Sequence, residues 1–161
     1  MEIKKIARFA INFTINRAIE IIGLSITVTG LFLLIALISF SPEDPNFIFP
    51  DNTEIKNILG YRGSFTADLF FQSFGLIAIL IPFSLIFSGI NVILNKKIIS
   101  IIENFFYTII YSLFGSLFFS FFYPNAFKLY ANGNGGFVGK YFNESFLNSL
   151  INLHPQISYY F

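Results

Sequence analysis

The chain has 161 residues, of which 55% are hydrophobic and only 12% charged, with a net charge of +1. A soluble domain of this size draws on about twice that share of charged residues to cover its surface, so the soluble class is excluded. Near-zero net charge gives no global electrostatic footprint for nucleic acid, and the absence of Cys rules out disulfides and thiolate metal sites.

In chain order, residues 2–20 read as an amphipathic helix. Lys4, Arg8, Asn12 and Asn16 fall on one line at i, i+4 spacing, and Ile3, Ile6, Ala10 and Phe13 on another. A basic amphipathic helix beside a span fits the anionic cytoplasmic leaflet. A simple helical extension of the span fits equally.

Ile21–Phe40 is a charge-free apolar run, Leu69–Leu94 a second, and Asn104–Tyr123 a third that Ile98 onward extends backwards past Glu103. About 20 apolar residues cross a hydrocarbon core of about 30 Å as a helix. The expected spans are therefore about 21–40, 69–94 and 98–123, with loops 41–68 and 124–156 between and after them. The first run exceeds a signal-peptide core and has no small-residue cleavage site after it.

Charge sets direction. Lys4, Lys5, Arg8 and Arg17 precede the first span, and Lys96 and Lys97 sit in the short turn between the second and third. The loop 41–68 instead sets Lys56 and Arg62 against Glu43, Asp44, Asp51, Glu54 and Asp68. Basic segments stay cytoplasmic, so the N-terminus is expected inside and the loops 41–68 and 124–156 outside.

Pro42 and Pro45 end the first helix. Gly60 and Gly63 read as turn residues, Ser64 or Thr66 as a cap for the second helix, and Asp68 as a first-turn carboxylate on its positive dipole end. Pro82 is expected to kink the second span. Gly75, Ser84, Ser88, Gly89, Gly115 and Ser116 suit close helix packing. Asn143-Glu144-Ser145 reads as the start of a short interfacial helix carrying Phe146, Leu147, Leu150 and Ile151 on one side. The fold class is thus all-α integral membrane.

No catalytic, cofactor-binding or metal site is expected. Gly133 to Lys140 superficially resembles a phosphate loop, but the required leading glycine falls at Asn134 and Lys140 is followed by Tyr141. The dinucleotide fingerprint fails at Val138. His154 is the sole histidine, without a partner for zinc. Glu103 lies close enough to Lys96 and Lys97 to pair with one of them, or to snorkel to water, rather than act inside the membrane.

A set of motifs in series resembles the N-terminal membrane domain of FtsK-type (FtsK/SpoIIIE) DNA translocases. Leu37-Ile38-Ser39-Phe40-Ser41-Pro42-Glu43-Asp44-Pro45 is similar to the family's L-x-S-F-x-P-x-D-P. Asn57-Ile58-Leu59-Gly60-Tyr61-Arg62-Gly63 with Ala67-Asp68 is similar to its N-x-x-G-x-x-G-A-x-x-A-D, with Ser64 in place of an alanine. Phe74-Gly75, Pro82 and Gly135-Gly136-Phe137-Val138-Gly139 fall at the family's places too. The resemblance covers roughly residues 20–155.

The resemblance implies a four-helix membrane anchor of the bacterial inner membrane, at the division septum. It also implies a homo-oligomer, hexameric in the family, and contacts with other division-site membrane proteins. In the family the domain carries a cytoplasmic motor for chromosome segregation, with ATP, Mg and DNA handled only in that motor. Three spans leave the C-terminus outside, whereas a cytoplasmic motor needs an even number. The chain is therefore expected to be truncated within a fourth span, entered at Ile157-Ser158-Tyr159-Tyr160-Phe161. The alternative reading is a small-solute transporter or channel subunit, disfavoured by how few intramembrane polar residues there are beyond Gln72, Asn91 and Glu103.

Overall fold

The computed structural model describes residues 2–45, 54–124, 132–147 and 149. All regular structure among them is helical: α1 (Glu2–Ile38), α2 (Gly60–Phe74), a 3-10 segment Gly75–Ile79, α3 (Leu80–Asn95), α4 (Ile99–Phe122) and α5 (Gly136–Phe142), followed by a π-turn, Asn143–Leu147. Three stretches are long and apolar enough to cross a membrane: Lys4–Ile38, Gly60–Asn95 and Ile99–Phe122. The chain is an all-α membrane protein.

α1 is one unbroken helix of 37 residues, about 55 Å long. The expected N-terminal amphipathic helix is its first half, collinear with the span. Residues 4–18 are exposed, so that half stands clear of the other helices. The hydroxyls of Ser25, Thr27, Thr29 and Ser39 each donate to the carbonyl four residues earlier, at 2.6–2.9 Å. These bonds hide the hydroxyls from lipid without a partner helix.

The second crossing is not one helix from Leu69. α2 begins nine residues earlier, at Gly60, which adopts φ +64. Gly63 is therefore helical rather than a turn residue, and neither Ser64 nor Thr66 caps the helix. Asp68 lies in the third turn of α2, buried, too far in to face the positive dipole end. The bend expected at Pro82 lies instead at Gly75, where φ is +67 and the chain tightens into the 3-10 segment. Pro82 occupies the third position of α3, in the first turn, where proline is tolerated.

α3 packs chiefly against α1, and the approach is set by glycine. A Cβ on Gly23 would lie 2.7 Å from Ile93 Cγ1 and 2.8 Å from the Gly89 carbonyl oxygen. One on Gly89 would lie 2.5 Å from the Gly23 carbonyl oxygen. Between apolar helices in lipid there is no water to expel, so association rests on such close contact. Leu33, Ala36 and Leu37 of α1, Ala67 and Phe71 of α2, and Ala78 and Ile81 form the core where these elements meet.

The turn between α3 and α4 puts Lys96 at φ +55. α4 runs back along α3 with a polar seam between them. Ser84 Oγ and Tyr111 Oη are 2.7 Å apart, and Asn104 Nδ2 donates to Ser88 Oγ at 3.2 Å. Among the described residues α1 and α4 make no contact. α3 separates them.

Two backbone latches as the candidate functional site

The motifs singled out in the sequence form two clusters, one where the end of α1 meets the start of α2, the other where the end of α2 meets α4 and α5. In the first latch, Pro42 and Pro45 free the chain from helix and let Asp44 turn inward, where it is buried. Its Oδ1 and Oδ2 accept the backbone N–H groups of Lys56 and Asn57, each at 2.8 Å. Asn57 Nδ2 donates to the carbonyls of Ala36 (2.9 Å) and Ser39 (3.3 Å). The Ala36 carbonyl is among the last of α1, which have no partner within the helix, and Ser39 directly follows the helix.

Gly63 is required here by space, because a Cβ on it would overlap the Asn57 side chain. Ser64 Oγ donates to the Pro45 carbonyl at 2.8 Å. Ser64 therefore supplies a bond that an alanine at this place could not. Outside the latch, Lys56 Nζ pairs with Glu43. That ammonium holds the Glu43 carboxyl below the usual carboxylate range, and Glu43 in turn raises the Lys56 pKa.

The second latch closes the break in the second crossing. Helix interruption at Gly75 leaves backbone groups of α2 unpaired, which in lipid costs several kcal/mol each. Asn134 and Ser116 restore them. The Leu76 N–H donates to the Asn134 carbonyl at 2.9 Å. Ser116 Oγ donates to the Phe74 carbonyl at 3.0 Å. Asn134, wholly buried, donates its side-chain amide to the Tyr123 carbonyl at the end of α4. Gln72 adds two contacts, its Oε1 accepting the Asn132 N–H at 3.3 Å and its carbonyl accepting Asn132 Nδ2 at 3.2 Å. Gln72 Nε2 also donates to Asp68 Oδ1 at 3.4 Å.

The glycines of Gly135-Gly136-x-x-Gly139 are thereby explained. Gly136, at φ +63, stacks its backbone on that of Gly75 and Ser73, with a Cβ site only 2.5 Å from the Gly75 nitrogen. Gly135 and Gly139 bring α5 against the backbone of α4 at Ser116 and Ser120. The stretch that superficially resembles a phosphate loop thus serves as a packing surface. The short helix expected from Asn143 begins at Gly136, with Asn143–Leu147 as its π-turn continuation. Leu150 and Ile151 lie outside the described residues, as do His154 and Ile157–Phe161.

At the opposite end, Lys96 pairs with Glu20, and Arg17 pairs with the same carboxylate. The pairing expected for Glu103 is not formed. Glu103 is exposed, and Lys96 ties the α3–α4 turn to α1 instead. Sequence alone does not reveal this bond, since Glu20 and Lys96 are 76 residues apart. The buried acceptor role of Asp44 and the donor role of Asn57 are equally hidden, although both lie inside motifs that the sequence singles out.

Among the described residues the two latches are built from backbone, amide, hydroxyl and carboxylate groups. Residues 16–154 match the family described as the 4TM region of DNA translocase FtsK/SpoIIIE. A DNA translocase FtsK of Azospirillum brasilense is 33% identical over 88 residues, covering 53% of this chain and 14% of the relative. That of Vibrio vulnificus is 42% identical over 60 residues, 37% of this chain and 6% of the relative. That of Rickettsia typhi is 34% identical over 64 residues, 40% of this chain and 9% of the relative. The similarity thus spans a small fraction of each relative's length. No solved structure matches the chain. With a match running through both latches and all three apolar crossings, the chain belongs to the family of FtsK/SpoIIIE membrane regions.

Proposed function

We propose that this chain anchors a cytoplasmic, ATP-driven DNA motor in the bacterial inner membrane at the division septum, serving chromosome segregation during cell division. The observation that carries the reading is the family match over residues 16–154 of a chain built from three apolar crossings. The N-terminus lies in the cytoplasm and the latches face the other side of the membrane. Support comes from Lys4, Lys5, Arg8, Arg17, Lys96 and Lys97, which gather at one end of the helices. A fourth span returns the chain to the cytoplasm, where a motor has chromosome and ATP within reach. ATP and Mg belong to that motor, and the anchor by itself hydrolyses no ATP. The anchor assembles as a homo-oligomer, a hexamer as in the family, among other division-site membrane proteins.

The test has two arms. Cysteines introduced at Asn52 and Asn95 are treated from outside with an impermeant thiol reagent, in a chain that otherwise has no Cys. Labelling at 52 and protection at 95 supports the orientation, and the reverse pattern overturns it. A fluorescent fusion of the chain is then imaged in dividing cells. A band at midcell supports the septal role, whereas uniform envelope fluorescence in cells with normal septa overturns it.

A further inference from the structure

An apolar trough runs between α1 and α4 with α3 as its floor, and its shape asks for a helix. A cavity of about 570 Å³ makes it up, with Phe70 and Phe74 of α2 also in its wall; a second, of about 540 Å³ between α1 and α2, adjoins it at Phe70 and Leu85. On one side α4 presents Ile101, Phe105, Ile109 and Leu113. These are four residues apart, a spacing that lines one helical stripe. On the other side α1 contributes Ile26. Phe105 is 63% exposed and Ile109 42%, so the stripe faces outward from the present packing.

We infer that this trough is the seat of the fourth membrane-spanning helix. The inference rests on the four-span reading proposed above, and the family's region is described as 4TM. Direction supports it. α1 and α4 run the same way and do not touch, while α3 runs against both and packs on each. A helix entering from the loop end runs against both α1 and α4. Seated in the trough, it completes a square in which every neighbouring pair is antiparallel, the arrangement of an up-down four-helix bundle. The polar cavity on the other side of the α3–α4 seam, lined by Asn91 and Tyr107 among others, has no residue of α1. A helix seated there would leave the square open.

The experiment uses the full-length gene product on a background free of other cysteines. Single cysteines replace Ile109 or, as a second site, Phe105, each paired with a cysteine series along the fourth span and treated with a short thiol cross-linker. Ile26→Cys is paired with the same series. A C-terminal reporter reads independently whether a fourth crossing exists. The expected result is helical-period cross-linking within one copy, reaching 109 and 105 from one side of the fourth span and 26 from the adjacent side, with none to Phe118→Cys. A fourth crossing that links to Tyr107→Cys but not to 109 or 26 overturns the docking and leaves the four-span reading intact. Cross-links at 109 between two copies give the seat to a second copy and also overturn it. A reporter showing no fourth crossing overturns both.

Discussion

Asn57 reaches back 21 residues to donate its side-chain amide to the Ala36 carbonyl at 2.9 Å, which ties the start of the second crossing to the end of the first. The same amide donates to the Ser39 carbonyl, and the residue is 4% exposed. Replacing Asn57 with Ala leaves buried acceptors without a donor, at a cost of about 1–3 kcal/mol. Asn57→Asp keeps the size, sets a carboxylate against two carbonyl oxygens, and is expected to be at least as destabilising. Reversible unfolding in mixed micelles, with Ile58→Ala as an exposed control, measures both. A change of less than a few tenths of a kcal/mol for Asn57→Ala would remove the latch from the account of stability.

Gly89→Ala places a methyl group where the carbonyl oxygen of Gly23 stands 2.5 Å away. Backbone cannot yield as a flexible side chain does, so α1 and α3 must separate. Overpacking of this kind costs about 1–3 kcal/mol, and Gly89→Leu costs more. By contrast, Gly60→Ala meets nothing within 4 Å and pays only for its φ of +64, about 1–2 kcal/mol. Gly60→Asn is expected to recover part of that loss, and no polar substitution is expected to rescue Gly89. Unfolding midpoints for the four variants distinguish a spatial cause from a conformational one.

Lys96 combines a left-handed backbone, φ +55, with an ion pair to Glu20 across the helix ends. Lys96→Gly relieves the backbone and loses the pair, whereas Lys96→Ala loses the pair and keeps the strain. Ala is therefore expected to be the less stable of the two by about 1 kcal/mol. Equal stabilities would show that the turn adopts another conformation.

The Glu43–Lys56 pair has a defined pH window. Glu43 is lowered by Lys56, so its contribution is complete above the ordinary carboxylate range and is lost as pH falls through its depressed value. Lys56 is raised by Glu43, so its contribution is complete below the ordinary lysine range and is lost as pH rises through the elevated value. The loop contact is accordingly intact from about pH 5 to about pH 10. Carbon-detected titration of Glu43 should show its midpoint moving up in Lys56→Ala. An unchanged midpoint would mean that the pair does not form in solution.

How far the sequence foretells this molecule depends on the kind of contact. Spans are legible because lipid admits only long apolar stretches, and Ile21–Phe40 or Asn104–Tyr123 can be read by length alone. The motifs are legible as patterns, since prolines and glycines mark places where backbone departs from helix. Their partners are not. Nothing local tells that Asn57 donates to Ala36, or that Asn134 completes the backbone broken at Gly75, because each bond is made across a fold that must exist first. Pro82 misleads for the same reason. Its effect depends on its place in the helix, and a start at Leu80 turns a helix breaker into an ordinary first-turn residue.

The unbroken course of α1 has a mechanical consequence. A single helix of 37 residues joins the basic N-terminal stretch to the carbonyls that Asn57 holds, and a helix resists bending far more than a loop does. A sideways pull on the exposed residues around Lys4 and Arg8 therefore bears on the place where Glu20 meets Lys96, the first point at which another helix braces α1.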